Sequence, residues 1–135
     1  MRDGFVKVAA GTPAIRVADC RYNAESCFTL MREAYRQGVR VLCLPELCLT
    51  GYTCGDLFLQ DTLLDGAEEA LSTVLEATRS LDMIAAVGLP VRRHNKLYNC
   101  AAVIHKGEIL GVVPKTHLPN YGEFYEKRQF TPGST

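Results

Sequence analysis

Leu42-Cys43-Leu44-Pro45-Glu46-Leu47-Cys48-Leu49-Thr50-Gly51-Tyr52 is the stretch on which the fold turns. An apolar run stops at Pro45, a carboxylate follows at once, and a Leu-Thr-Gly-Tyr turn comes next. A run of this length reads as a buried strand. A carboxylate at its end is delivered to the edge of a sheet, where sites on α/β scaffolds are built. Pro114-Lys115-Thr116-His117-Leu118-Pro119 repeats the arrangement with the opposite charge: a lysine ends another apolar run, again beside a proline.

On the N-terminal side of this stretch, Phe5-Val6-Lys7-Val8-Ala9-Ala10 reads as a first strand. A helix starts at Asp19 or Asn23, either of which can cap its free amides. Ala24, Cys27, Phe28, Met31, Ala34 and Tyr35 form its apolar stripe, and Gly38 stops it. Residues 39–44 then form a buried strand. Strand, helix and strand make a crossover unit, which implies a parallel pair with a right-handed connection. On the C-terminal side, residues 55–60 read as a loop or a short helical turn. Asp61 is placed to cap a second helix, with Leu64, Ala67, Leu71, Val74, Leu75, Thr78 and Leu81 on one face. Met83-Ile84-Ala85-Ala86-Val87-Gly88 is the next buried strand. Residues 96–105 and 108–113 are strand-like runs joined by Lys106-Gly107, a two-residue hairpin turn. Residues 130–135 carry a loop signature, and no repeat or low-complexity tract interrupts the chain.

Composition narrows the function classes. The 135 residues match the size of one domain, and 47% hydrophobic content is enough for a sizeable core. With 15 basic and 15 acidic residues there is no basic field for nucleic acid and no acidic tail; Arg92-Arg93 is too short to serve as such a field. The apolar runs are strand-sized and fall well short of a membrane helix. Met1-Arg2-Asp3-Gly4 leads into a short apolar run with neither a signal-like core nor a small-residue cleavage site. This reads against secretion and for a cytoplasmic protein. Cysteines stand at 20, 27, 43, 48, 54 and 100. None makes a C-x2-C knuckle, no metal site is expected, and free thiols in a reducing compartment follow.

A strand-end glutamate or a solvated lysine is ordinary alone. As a pair, each after an apolar strand and each beside a proline, Glu46 and Lys115 suit amide cleavage. The carboxylate takes a proton from a nucleophile, and the ammonium stabilises the oxyanion of the tetrahedral intermediate. Of the three histidines, His94 belongs to a polar turn, His105 precedes the hairpin, and His117, two residues after Lys115, is expected to be a hydrogen-bonded support rather than an acid or base.

Three segments together resemble the carbon–nitrogen hydrolase (nitrilase) superfamily: Pro45-Glu46 with Leu49-Thr50-Gly51-Tyr52, then Pro114-Lys115-Thr116-His117-Leu118, then Glu126-Lys127-Arg128-Gln129-Phe130-Thr131-Pro132-Gly133. Gly55-Asp56-Leu57-Phe58-Leu59-Gln60, Leu63-Leu64 and Leu118-Pro119-Asn120-Tyr121-Gly122-Glu123-Phe124-Tyr125-Glu126 are more specific. They resemble the N-terminal glutaminase domain of glutamine-dependent NAD synthetases. The likeness runs from Phe5 to Gly133.

The resemblance implies an α/β fold, part of a four-layer α-β-β-α sandwich, with residues 1–135 as the N-terminal part of a glutamine amidohydrolase domain. It implies Glu46 as general base, Lys115 as oxyanion stabiliser and Glu126 as a supporting glutamate, with Tyr52 and Tyr121 lining a glutamine pocket. A cysteine thiolate would attack the side-chain amide of glutamine, and the ammonia would pass to a synthetase domain of the same chain. That domain would use ATP and Mg to amidate deamido-NAD, in a homo-oligomer. All six cysteines precede Lys115, so none matches the family nucleophile, for which Cys48 and Cys54 are the nearest stand-ins to Glu46 in sequence. The expectation is a part of a longer enzyme, inactive alone, with an apolar sheet face left uncovered. Another carbon–nitrogen hydrolase, such as an aliphatic or ω-amidase, and a non-catalytic half-domain are the alternatives.

Overall fold

A computed structural model describes residues 4–119 and 126–133. Five strands form one sheet in chain order: β1 (Val8–Ala10), β2 (Val41–Cys43), β3 (Ile84–Arg93), β4 (Lys96–His105) and β5 (Glu108–Pro114). β1, β2 and β3 run parallel, and β3, β4 and β5 form an antiparallel meander. Helices α1 (Cys20–Arg36) and α2 (Asp61–Ala77) supply the two crossovers. Short 3-10 turns occupy Gly55–Leu59 and Glu126–Arg128.

Local chemistry sets the boundaries. Of the two cap candidates for α1, Asp19 caps: its carboxylate accepts the Tyr22 N–H at 3.1 Å. Asn23 is instead buried inside the helix. Its amide accepts the Arg16 N–H and donates to the carbonyls of Arg16 and Leu49, tying the helix start to the Glu46 loop. Gly38, at φ +91°, takes the left-handed conformation that follows the helix end, as expected. The expected cap of α2 is corrected. Gln60 holds the cap position without a side-chain bond. Asp61 lies in the first turn, where its charge suits the helix dipole and pairs with Arg92.

The first two strands are shorter than the sequence suggested, and β3 is longer. Leu89, Pro90 and Val91 extend it by pairing with Cys100, Asn99 and Tyr98. His94 and Asn95 both take positive φ, 51° and 61°, and close a two-residue hairpin where the sequence alone shows only a polar turn. The second hairpin falls at Lys106-Gly107, as expected.

Both helices cover one sheet face. Cys27, Met31, Leu42, Val74, Val87 and Ile104 are buried between the layers. Residues 39–44, read as a buried strand, alternate: Leu42 and Leu44 point into the core, while Val41 and Cys43 point away. The register aligns Val8, Val41 and Ile84 on that outer face, and all three are exposed. The helix layer and the sheet are thus two of the four expected layers. Among the described residues no helix is long and apolar enough to cross a membrane.

Candidate active site

The site begins where β2 ends. Leu44 donates its N–H to Ala86 at 3.0 Å, continuing the ladder, and Pro45, which has no N–H, breaks it. Leu47 then takes φ +52°, an uncommon conformation for a branched side chain. Packing and one returning hydrogen bond hold the turn. Leu47, Cys48 and Leu49 are buried, and the Leu49 N–H returns to the Gly88 carbonyl at 3.1 Å. Gly88 is the floor of the turn. A Cβ there would lie 2.4 Å from the Leu47 nitrogen and 2.7 Å from the Pro45 oxygen, so only glycine allows this approach.

Lys115 follows β5 directly. Its N–H donates to the Asn99 carbonyl at 2.7 Å, and its own carbonyl accepts the Gly133 N–H at 2.8 Å. The segment leading to Gly133 runs beside β4, with the Thr131 N–H on the Leu97 carbonyl at 2.7 Å. It carries Glu126 to the same place.

Glu46, Lys115 and Glu126 meet there. The Lys115 ammonium donates to Glu46 Oε1 at 2.6 Å and to Glu126 Oε1 and Oε2 at 3.0 and 3.2 Å. The Tyr52 hydroxyl donates to Glu126 Oε2 at 2.9 Å. The Glu126 side chain is only 5% exposed, so its charge is buried with its partners in place. Burial works against the Lys115 ammonium, but the hydrogen bonds and charges of Glu46 and Glu126 outweigh it and raise its pKa. Burial, then the bond to Glu126 and the surrounding negative charge, push the Tyr52 phenol up to about 12. Two carboxylates thus hold one ammonium between them, and Glu46 remains open to a hollow of about 350 Å³. Tyr52 and Glu126 line a second hollow of about 240 Å³. A larger one, about 780 Å³, lies around Arg40, Asp82 and His105 at the other end of the strands and holds none of these groups.

Of the remaining sequence candidates, Tyr121 lies outside the described residues. His117 is exposed, and its ring makes no hydrogen bond among the described residues, so the expected hydrogen-bonded support is not made there; the Lys115 ammonium is occupied by the two carboxylates. His105 pairs with Asp82 at 2.8 Å, far from Lys115 along β4. Cys48 and Cys54 are buried, with thiols turned to the backbone carbonyls of Gly88 and of Thr50 and Gly51. All six cysteines are free, as expected. Among the described residues no group of three metal-ligating side chains is found.

Three contributors are missed by the sequence reading. Gly88 reads there as the end of a strand, although a glycine inside an apolar run is a signal of close backbone approach. Cys43 is exposed and lines the hollow beside Glu46. Asn99 is buried, and its amide donates to Glu46 Oε1 at 2.6 Å; a polar residue within an apolar strand is the available clue.

Comparisons with known proteins bear on the fold and the family. The carbon-nitrogen hydrolase family model matches residues 7–135. The glutamine-dependent NAD(+) synthetase of Mycobacterium tuberculosis (strain H37Rv) is 45% identical over 130 residues, covering 96% of this chain and 19% of that protein. Two solved glutamine-dependent NAD(+) synthetases superpose on it. That of Cytophaga hutchinsonii has a TM-score of 0.84 and 34% identity, covering 94% of this chain and 22% of the other. That of Acinetobacter baumannii, in complex with ADP, has a TM-score of 0.89 and 30% identity, covering 96% and 24%. The chain spans about a fifth of the length of the curated relatives it matches. With the family model covering nearly every residue, and the strand-end glutamate and lysine in contact, the chain belongs to the carbon–nitrogen hydrolase family.

Proposed function

We propose that this chain is the glutamine amidohydrolase part of a glutamine-dependent NAD synthetase. The observation that carries the proposal is the Lys115 ammonium held between Glu46 and Glu126. In the reaction, Glu46 takes the proton of a cysteine thiol as sulfur attacks the side-chain carbonyl of glutamine. The oxyanion that forms meets the Lys115 ammonium, whose proton is retained because two carboxylates stabilise it. The C–N bond then breaks, Glu46 returns its proton to the leaving nitrogen, and ammonia departs. Glu46 next takes a proton from water, which attacks the thioester and releases glutamate and the thiol. Glu126 and Tyr52 hold the ammonium on its line of action.

None of the six cysteines serves as the nucleophile in this reading. Cys20 and Cys27 are buried, the Cys43, Cys48 and Cys54 thiols are turned to backbone carbonyls, and burial pushes the Cys100 thiol up to about 11. The thiol is assigned to the length of the relatives that this chain does not span. ATP and Mg are assigned to the synthetase part, which would consume the ammonia. The relatives, at up to 45% identity over 96% of the chain, favour this over a stand-alone amidase.

The test follows the nitrogen. The native gene product that carries these residues is supplied with amide-15N glutamine, deamido-NAD, ATP and Mg, and the NAD formed is analysed by mass spectrometry. Label in the NAD is expected. Glutamine hydrolysis with no NAD formed would point to a stand-alone amidohydrolase instead.

A further inference from the structure

Lys115 cannot by itself decide which oxygen of Glu46 accepts a proton. An ammonium is a compact point charge with rotatable donors, and either carboxylate oxygen satisfies it equally. A second, directional donor is needed, and Asn99 is one. It sits on β4 and is 3% exposed. Its Nδ2 donates to Glu46 Oε1 at 2.6 Å, the same oxygen that Lys115 Nζ reaches at 2.6 Å. The amide orientation is set by chemistry, because an ionised carboxylate only accepts. Oε1 therefore carries two short bonds, while Oε2 has no hydrogen bond among the described residues.

The geometry points to Asn99 as a positioning residue that makes Glu46 Oε2 the proton-accepting atom. An oxygen already engaged by an ammonium and an amide is a poor acceptor for a third donor, and the unengaged oxygen is the stronger base. Asn99 also sets the partner, since its backbone carbonyl takes the Lys115 N–H at 2.7 Å. One buried residue thus registers the base through its side chain and the ammonium through its main chain. The anchorage is rigid, because Asn99 is paired with Pro90 within the longest ladder of the sheet.

The inference rests on Glu46 being the base, so the experiment tests the two claims separately. Glutamine hydrolysis by the native gene product is measured for the wild type, Glu46→Gln, Asn99→Ala and Asn99→Asp, with thermal unfolding of each as a control. Glu46→Gln is expected to abolish turnover. Asn99→Ala is expected to lower kcat about 10- to 100-fold, the range for losing a hydrogen bond to a charged group, while KM stays close to wild type. Asn99→Asp is nearly isosteric and should preserve the fold, but it cannot donate while ionised and repels Glu46. It should be slower than Asn99→Ala at neutral pH and should recover as the pH is lowered and the introduced carboxyl gains a proton to donate. A shape-filling role for Asn99 gives the reverse order. Inactive Glu46→Gln with Asn99→Ala at wild-type kcat, or with Asn99→Asp the faster of the two, would overturn the role of Asn99. Retained activity in Glu46→Gln would overturn the assignment of the base itself, and the positioning inference with it.

Discussion

Replacing Gly88 with alanine should disable the site without touching any charged group. The added Cβ would stand 2.4 Å from the Leu47 nitrogen, 2.7 Å from the Pro45 oxygen and 3.0 Å from the Glu46 carbonyl carbon. All three are backbone atoms, so no side chain can swing aside. The turn has to retreat by about 1 Å to restore ordinary contact. Overpacking of this kind costs about 1–3 kcal/mol. The retreat also stretches the Leu49-to-Gly88 hydrogen bond, 3.1 Å in the wild type, which adds about 1 kcal/mol. The entropy gained by removing a glycine from the unfolded chain offsets at most about 1 kcal/mol. The net loss is about 1–4 kcal/mol, or a fall in Tm of roughly 4–16 °C for a chain of this size. Because Glu46 rides on the turn, its carboxylate also leaves Lys115 and Asn99, and a 1 Å misplacement costs about 100-fold in rate. Calorimetry and glutamine turnover on the same preparation measure both effects. A Gly88→Ala variant with wild-type Tm and kcat would refute the idea that Gly88 is the floor under Glu46.

At alkaline pH the site should weaken the fold. Tyr52 has a folded pKa of about 12, above an unfolded value of about 10. The folded state therefore holds the proton longer, and the contribution to stability is complete below about pH 10 and lost as pH rises towards 12. Lys115, also raised, acts in the same direction, so urea midpoints should fall through this window and fall less steeply in Tyr52→Phe; equal slopes would contradict the coupling. Cys43 should be the first thiol alkylated in the native protein, with Cys20, Cys27, Cys48, Cys54 and Cys100 protected by burial until denaturant is added. Peptide mapping that finds Cys48 or Cys54 labelled first would contradict the described packing.

The crossover units are legible because the apolar run of β2 lies between Gly38 and Pro45, because Met83 to Gly88 is a second apolar run, and because the stripes of α1 and α2 have helical spacing. Glu46 and Lys115 were legible as strand-end charges beside prolines. The features that escaped have a common physical origin. The hairpin at His94-Asn95 depends on two residues accepting positive φ, and Arg92-Arg93 ahead of it masks the strand in polar residues. Leu47 at positive φ is imposed by the close approach to Gly88, a tertiary contact with no local signal. Asn99 looks like a blemish in an apolar strand until β5 brings Lys115 alongside and the turn after β2 brings Glu46 over it. The open sheet face is legible from the resemblance, which leaves an apolar face uncovered, and Val8, Val41 and Ile84 stand exposed there; the run of residues 39–44 alone does not show which of its side chains face outward.

In the proposed function Lys115, gripped by Glu46 and Glu126, serves the release of ammonia from glutamine and nothing else in NAD formation. One comparison tests it: NAD formation by the Lys115→Ala variant of the native gene product, with glutamine and with ammonium chloride as alternative nitrogen donors. The glutamine-dependent rate is expected to fall by about 100-fold or more while the ammonia-dependent rate is unchanged. An undiminished glutamine-dependent rate, or an equal loss with both donors, would contradict it.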